Sequence, residues 1–209
     1  MNGCVDEWVA RIGRYVTWIT IKNIFVCIHK ILYYNTVKAI IDTSTLISLA
    51  RISYLELVSR LNVNIILSRK VYEEAVVEGK AKGFVDAIVI QGFIDSYNLK
   101  IIEVKEKFVK ILRRKIKKTL VKGDESVLAL AIQEHAEWII TNDDGLGKIA
   151  MVLGFQVKAT PDLLLKALEK KLFDVCKLEI LMRELVVENR LSYKVAELYI
   201  IEAKNYVKE

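Results

Sequence analysis

Apolar residues along this chain fall into short continuous runs separated by longer stretches with helical spacing. The short runs predict five strands: KAIID, NVNIIL, LKIIEV, WIITN and FQVK. The longer stretches predict helices over STLISLARISYLELVSRL, residues 69–78, GFVDAIVIQGFIDSY, KEKFVKILRRKIKK, GDESVLALAIQEHA and GLGKIAMVLG. Strands that alternate with helices are typical of a parallel sheet covered on both faces. The predicted fold class is therefore α/β.

Two segments lie outside this alternation. After Pro161 the pattern predicts three helices and no strand, so we expect an α/β domain at residues 37–160 and a helical tail at residues 161–209, packed on the core or on a second subunit. Residues 1–36 hold two of the three tryptophans and have no clean period. Two interpretations stay open for them: a start-site artefact, with Val37 as the biological start, or an amphipathic segment for a partner or membrane surface.

Composition excludes several kinds of site. The 209 residues carry a net charge of +6, and the three cysteines are far apart and odd in number, which disfavours a disulfide framework or a zinc site. Only His29 and His135 are present, and neither lies in a recognisable nucleophile motif. No uncharged apolar run approaches the roughly 18 residues that a membrane span needs. We therefore expect a cytoplasmic protein that does not enter the membrane.

Acidic residues accompany the predicted strands and helix starts. Asp42 ends the first strand, and Asp143 ends the fourth, directly before Asp144. Ligand sites in parallel sheets lie beyond the carboxyl ends of the strands, so Asp42 and Asp143 can meet there. Glu74 lies in the helix after the second strand, and Asp124 opens the helix that follows a Lys-Gly turn. Each acid alone has a simpler explanation, as a helix cap, a solvated helix residue or a first-turn acid.

Taken together, these acids indicate a cation site. Two carboxylates about 4 Å apart repel by about 4 kcal/mol at an effective dielectric constant of 20, so a cluster of four is costly without a cation. Hard oxygen ligands without nearby cysteine or histidine are the set that Mg²⁺ or Mn²⁺ prefers over zinc. The pattern therefore predicts a divalent metal at the sheet edge.

The segments that carry these acids resemble a known family. IIDTS, VYEE, GDESVLALA and WIITNDDGLGKIA look like the four acidic motifs of PIN-domain ribonucleases, in that order and at comparable separations. TPDLLLKALEKKLF and LSYKVAELYIIEA are similar to the VapC-like toxin branch that carries a C-terminal helical extension. The resemblance extends from about Val37 to the C-terminus. It implies a three-layer α/β/α sandwich with a central parallel sheet and an added helical tail.

The resemblance also implies roles for individual residues. Its catalytic and metal-binding carboxylates carry over to Asp42, Glu74, Asp124 and Asp143, with Asp144 as a fifth ligand and Ser44 and Glu125 in support. Glu73 could replace Glu74, although the V-x-x-E spacing favours Glu74. The branch often has a second acid where this chain has Ser126, and whether Glu125 compensates stays open. The number of metal ions, one or two, therefore stays open as well.

The resemblance implies a Mg²⁺- or Mn²⁺-dependent endoribonuclease. Within the family this would most often be the toxin of a toxin-antitoxin pair, dimeric and silenced by a small antitoxin protein. A basic helix runs into the Asp124 turn and is expected to contact RNA phosphates, although a solvated helix face would look the same. Its candidate RNA-binding residues are Lys110, Arg113, Arg114, Lys117 and Lys118.

Two alternatives to an active nuclease stay open. The first is a non-catalytic RNA-binding or protein-interaction module that keeps the fold, with Ser126 marking a weakened site. The second, more distant, is a phosphoryl-receiver domain, which would need a second acid beside the first strand. The DTS sequence that follows that strand does not supply one.

Overall fold

Five parallel strands form the centre of the protein in a computed structural model that describes residues 36–116 and 120–206. The strands are β1 Val37–Ile41, β2 Val63–Ser68, β3 Lys100–Ile102, β4 Trp138–Ile140 and β5 Gln156–Lys158. Their order across the sheet is β3-β2-β1-β4-β5. Ile40 in the central strand pairs with Ile66 of β2 and Ile139 of β4, and all three side chains are buried. The predicted α/β fold with an all-parallel sheet is confirmed.

Helices connect the strands and cover the sheet. They are α1 Thr43–Arg51, α2 Leu57–Arg60, α3 Arg69–Tyr72, a π-helical segment Glu73–Glu78, α4 Gly79–Ala81, α5 Val85–Ser96, α6 Glu106–Lys115, α7 Lys122–Glu134 and α8 Asp144–Val152. The chain moves from β1 through β2 to β3 on one side, then crosses to β4 and β5 on the other. Since parallel crossovers are right-handed, α1–α5 and α6–α8 lie on opposite faces of the sheet.

The reversal of direction places a topological switch point between β1 and β4. Parallel α/β sheets bind ligands in the crevice outside the carboxyl ends of the strands at such a point. The strand ladder extends one residue further here, because the N–H of Asp42 donates to the carbonyl of Ile140 at 2.9 Å. The sheet therefore brings the ends of β1 and β4, and the acids that follow them, to one place.

Two predicted helices differ from the observed ones. The single helix predicted over residues 44–61 is interrupted after Arg51, because Ser53 adopts a left-handed conformation with φ of 52° that ends α1. The helix predicted over residues 69–78 changes to π-helical geometry at Glu73. A π segment is rare and often marks a functional site, because it rotates the side chains that follow it relative to a regular α-helix.

The C-terminal tail forms three helices, α9 Thr160–Glu169, α10 Val175–Val187 and α11 Tyr193–Tyr206. Buried residues of each, such as Leu164, Leu181 and Ile200, belong to the same hydrophobic core as the sheet. Helix α9 contacts α1 and α2 as well as α10 and α11. The tail is therefore packed on the α/β core, and residues Val37–Glu209 form one compact unit.

Expectations about the N-terminal extension concern residues 1–36, and of these only Thr36 lies within the described structure. Among the helices that the structure describes, none has both the length and the apolar character needed to cross a membrane.

Candidate acidic site at the switch point

Asp42 follows β1 and is held by three hydrogen bonds to one of its carboxylate oxygens. Oδ2 accepts from the N–H and the hydroxyl of Ser44, at 3.3 and 2.6 Å, and from the hydroxyl of Thr141 at 3.1 Å. The first of these bonds makes Asp42 the N-cap of α1. Only 9% of the residue is exposed. The cap explanation is therefore correct for this aspartate, yet it uses only Oδ2.

Asp143 has the same relation to α8. Its Oδ1 accepts a hydrogen bond from the N–H of Leu146 at 2.7 Å, so it is the N-cap of this helix. Its own N–H donates to the hydroxyl of Thr141 at 3.0 Å, and that hydroxyl donates onward to Asp42. Thr141, which the sequence did not single out, thus links the two acids. A polar residue directly after a buried strand was the available signal.

Glu74 and Glu73 have different surroundings. Glu74 Oε2 accepts from the Thr43 hydroxyl at 3.2 Å, next to Asp42, whereas Glu73 has only Lys70, at 3.8 Å, as a partner in the described part of the chain. Lys70 also lies 3.9 Å from Glu74. A Cβ atom added to Gly123 would lie 3.2 Å from Glu74 Oε1, so glycine allows this carboxylate to approach the start of α7. The geometry places Glu74, not Glu73, against the elements that carry the other acids.

Asp124 lies in the first turn of α7, three residues after the N-cap Val121, and is therefore not a cap itself. Within the described structure its carboxylate accepts no hydrogen bond. Burial raises the pKa of the Asp124 carboxyl above its ordinary value, and the charges of Asp143, Asp42 and Glu74 raise it further. Three acids from distant parts of the sequence therefore act on Asp124.

The donor chemistry of these acids fits a hard divalent cation. The electrostatic repulsion at Asp124 is the penalty that such an ion would relieve, and the available oxygens are carboxylates. Within residues 36–116 and 120–206, however, no three acidic, histidine or cysteine side chains converge closely enough to hold a metal ion as they stand. Mg²⁺ commonly keeps several waters and binds only one or two carboxylates directly, which suits acids that are close without touching.

Comparison with known proteins decides the family. Residues 38–204 match the family described as DUF3368, PIN domain. The chain belongs to this PIN-domain family. A solved structure, that of the sarcin-ricin loop cleaving toxin VapC20 of Mycobacterium tuberculosis, aligns with 13% identity and a TM-score of 0.42, over 56% of this chain and 95% of its own. No curated protein matches the sequence.

Ser126, which departs from the second acid often found in the VapC-like branch, has a hydroxyl with a structural role. It donates to the carbonyl of Gly123 at 2.7 Å and lies 2.9 Å from the hydroxyl of Ser68. Ser68 in turn caps α3 by accepting from the N–H of Val71 at 3.1 Å. Since the single Ser126 hydrogen goes to Gly123, Ser68 donates to Ser126. The serine therefore joins the start of α7 to the start of α3.

Glu125 and Asp144 were expected in or beside the metal site. Both carboxylate oxygens of Glu125 accept from the guanidinium of Arg113, at 2.6 and 2.9 Å. This pair occupies both oxygens of Glu125 and joins the basic helix α6 to α7. Asp144 is exposed in the first turn of α8 and is not among the charges that raise the pKa of Asp124. Neither residue takes part in the resolved interactions among the four acids.

The basic helix α6 presents its cations to solvent. Lys110, Arg113 and Arg114 are all exposed, and the ion pair of Arg113 with Glu125 holds their helix beside the Asp124 turn. Lys117 and Lys118 lie outside the described residues. Of the described basic residues, Arg113 thus lies next to the first turn of α7, which carries Asp124.

Proposed function

We propose that this PIN domain is a Mg²⁺- or Mn²⁺-dependent endoribonuclease. The observation that carries the proposal is that acids from separate elements gather at the topological switch point of the sheet. Burial, and after it the charges of three other carboxylates, raises the pKa of Asp124 there. A group of acids at a ligand-binding edge is what a cation would stabilise. Asp42, Glu74, Asp124 and Asp143 would hold the ions.

The bound ions would supply a water of lowered pKa and would stabilise charge on the attacking and leaving oxygens of the phosphodiester. The chain itself prepares the site for this. Thr141 and Ser44 fix the Asp42 carboxylate, and Thr43 holds the Glu74 carboxylate. Asp143 is exposed, which leaves the site open to a long substrate. No nucleophilic side chain is required, because water attacks the phosphorus.

The substrate would be RNA, held on the basic helix α6 through its phosphates. Lys110 and Arg114 are exposed on this helix, which Arg113 joins to the first turn of α7, and exposed cations bind a backbone of any sequence. We further propose that the nuclease is a cytoplasmic toxin, dimeric and paired with a small antitoxin protein. Support for this part is the expected membership of the VapC-like branch with its helical tail.

A second candidate is a PIN domain that binds RNA without cutting it. The specific observation in its favour is that no three ligating side chains converge in the described part of the chain. On this alternative, salt-sensitive RNA binding would persist without any effect of divalent metal.

The deciding experiment is cleavage of a labelled, structured RNA by the full chain in Mg²⁺, Mn²⁺ or EDTA. Two matched pairs of variants accompany it: Glu74→Gln with Glu73→Gln, and Asp143→Asn with Asp144→Asn. Asparagine keeps the oxygen that caps α8, so Asp143→Asn tests charge rather than folding. We expect Glu74→Gln and Asp143→Asn to reduce cleavage by at least about a hundredfold, more than a change in a residue next to a metal ligand does. The control variants Glu73→Gln and Asp144→Asn should have little effect. Equal inactivity of wild type and all variants in every metal would refute the enzyme and favour the binding module.

A further inference from the structure

Asn142 lies directly before Asp143, and its side chain joins three elements of the fold. The amide nitrogen donates to the hydroxyls of Ser48 in α1 and Thr160 in α9, each at 2.9 Å. The amide oxygen accepts from the N–H of Thr160 at 2.8 Å. Because a backbone N–H can only donate, it must face this oxygen, and the orientation of the amide is thereby fixed. The amide oxygen and both amide hydrogens are all used.

Asn142 is connected to Ser44 in two ways, directly through its main chain and indirectly through Ser48. The backbone N–H of Asn142 donates to the Ser44 hydroxyl at 3.2 Å. Ser48, which accepts from the Asn142 amide, donates to the carbonyl of Ser44 at 2.8 Å. The single hydroxyl hydrogen of Ser44 is then left for Asp42, whose Oδ2 accepts it at 2.6 Å. Ser44 is therefore held at its side chain and its main chain, and is aimed at Asp42.

This arrangement determines which oxygen of Asp42 is available. Oδ2 receives all three hydrogen bonds, two from Ser44 and one from Thr141. Within the described residues, Oδ1 receives none. A carboxylate fixed through one oxygen presents the other in a defined direction, which lowers the entropy lost when a cation binds.

The connection begins in the C-terminal tail. Thr160 is the first residue of α9 and is 1% exposed, and Ser48 is equally buried. Helix α9 is anchored further by Asp162, which accepts from the N–H of Ala159 at 2.7 Å and from the hydroxyl of Tyr199 in α11. Thr160 is therefore a rigid end of the tail in contact with the residue that precedes Asp143.

We propose that Asn142 and Thr160 are positioning residues through which the C-terminal helices orient the Asp42 carboxylate for its cation. This inference rests on the proposed metal-dependent function. On this proposal the C-terminal helices have a role at the acidic site in addition to covering the core. It also predicts that the Thr160 hydroxyl, rather than its methyl group, is the feature that matters, since only the oxygen accepts from Asn142.

The test compares Thr160→Val with Thr160→Ser in the full chain. Valine has nearly the same shape but cannot accept from Asn142, whereas serine keeps the oxygen. Mn²⁺ affinity is measured by calorimetric titration, and melting in EDTA is recorded in parallel. We expect Thr160→Val to weaken Mn²⁺ binding by about threefold to tenfold, below the 10- to 100-fold typical of residues that touch a ligand directly. Thr160→Ser should remain within about twofold of wild type.

Two further variants separate positioning from general loosening of the tail. Tyr199→Phe removes the hydroxyl that donates to Asp162 and leaves Asn142 untouched, so it should lower the melting temperature without changing Mn²⁺ affinity. Ser48→Ala removes the hydroxyl that links the Asn142 amide to the Ser44 carbonyl, and it should weaken Mn²⁺ binding as Thr160→Val does.

The outcomes distinguish this inference from the proposed function. If wild type neither binds Mn²⁺ nor cleaves RNA, the proposed function fails. If wild type binds Mn²⁺ but Thr160→Val binds it as tightly as Thr160→Ser, the positioning role is wrong. Equal weakening by Tyr199→Phe would likewise overturn it, because the tail would then act only through stability.

Discussion

Asp124→Asn should stabilise the metal-free protein, which is unusual for a substitution at a partly buried polar position. The carboxylate accepts no hydrogen bond within the described structure, and burial together with three neighbouring acids raises its pKa. Asparagine has the same size and no charge. The substitution therefore removes repulsion and leaves packing in place.

The size of the stability gain from Asp124→Asn can be estimated from Coulomb's law. Two unit charges 4 Å apart interact by about 1 kcal/mol in water and about 4 kcal/mol at an effective dielectric constant of 20. Asp124 is partly exposed and the four acids do not converge into one coordination sphere, so screening places the total nearer the lower figure. We expect a gain of about 1 kcal/mol, which raises the melting temperature by about 2–4 °C for a chain of this size.

The pH dependence of stability independently predicts that Asp124→Asn is stabilising. Because the folded pKa is raised, the ionised carboxylate opposes folding at neutral pH, and this penalty declines as the pH falls through the folded pKa. It disappears below the unfolded value of 3.8. The stability advantage of Asp124→Asn should therefore be largest near neutral pH and vanish in acid.

Urea unfolding in EDTA, at neutral and acidic pH, measures this effect, with exposed Asp144→Asn as the charge-matched control. Added Mn²⁺ should reverse the order, because an ion at 100 times its dissociation constant stabilises the wild type by about 2.7 kcal/mol and the variant by less. A variant that is less stable than wild type in EDTA at neutral pH would refute the reasoning, since Asp124 would then be supporting the fold.

Three further predictions concern neighbouring residues. Gly123→Ala should reduce cleavage by about tenfold or more, because the added Cβ would lie 3.2 Å from Glu74 Oε1. The melting temperature should be unchanged or higher, because alanine has the better helix propensity. Loss of activity together with loss of folding would contradict this prediction. The double variant Lys110→Gln/Arg114→Gln should weaken RNA binding at every sequence and reduce the slope of log affinity against log salt by about 1–2, measured by fluorescence anisotropy. Ser126→Ala should lower the free energy of unfolding by about 1–2 kcal/mol through its lost bonds to Ser68 and Gly123, with Mn²⁺ affinity preserved; weakened Mn²⁺ binding would instead assign Ser126 to the metal site.

Much of the fold could be predicted from local pattern. Short apolar runs predicted all five strands within a few residues, because a strand buried on both faces needs continuous hydrophobic sequence. The ends of β1 and β4, within a few residues of Asp42 and Asp143, followed from the same runs. Helix interruptions were harder to predict, since the left-handed conformation of Ser53 and the π segment from Glu73 have no distinctive local sequence.

The candidate site, too, could be predicted only in part from the sequence. Residue type and position pointed to Asp42, Asp124 and Asp143, because carboxylates at strand ends and helix starts suggest cation chemistry, and the resemblance to the PIN motifs favoured Glu74 over Glu73. Their surroundings came only from the fold. Glu125 is directed to Arg113, 12 residues away, and Asn142 connects to Thr160, 18 residues away, and to Ser44, 98 residues away.

The sequence by itself determined which elements form and which acids follow them, since hydrophobic periodicity and residue chemistry are local properties. The tertiary structure decided that β1 and β4 are neighbours, that Glu74 rather than Glu73 lies near Asp124, and that the tail reaches Ser44 through Asn142. These outcomes depend on strand order and on contacts and hydrogen bonds between distant residues. None of these is encoded in any short stretch of the chain, because each arises only when the packed elements meet.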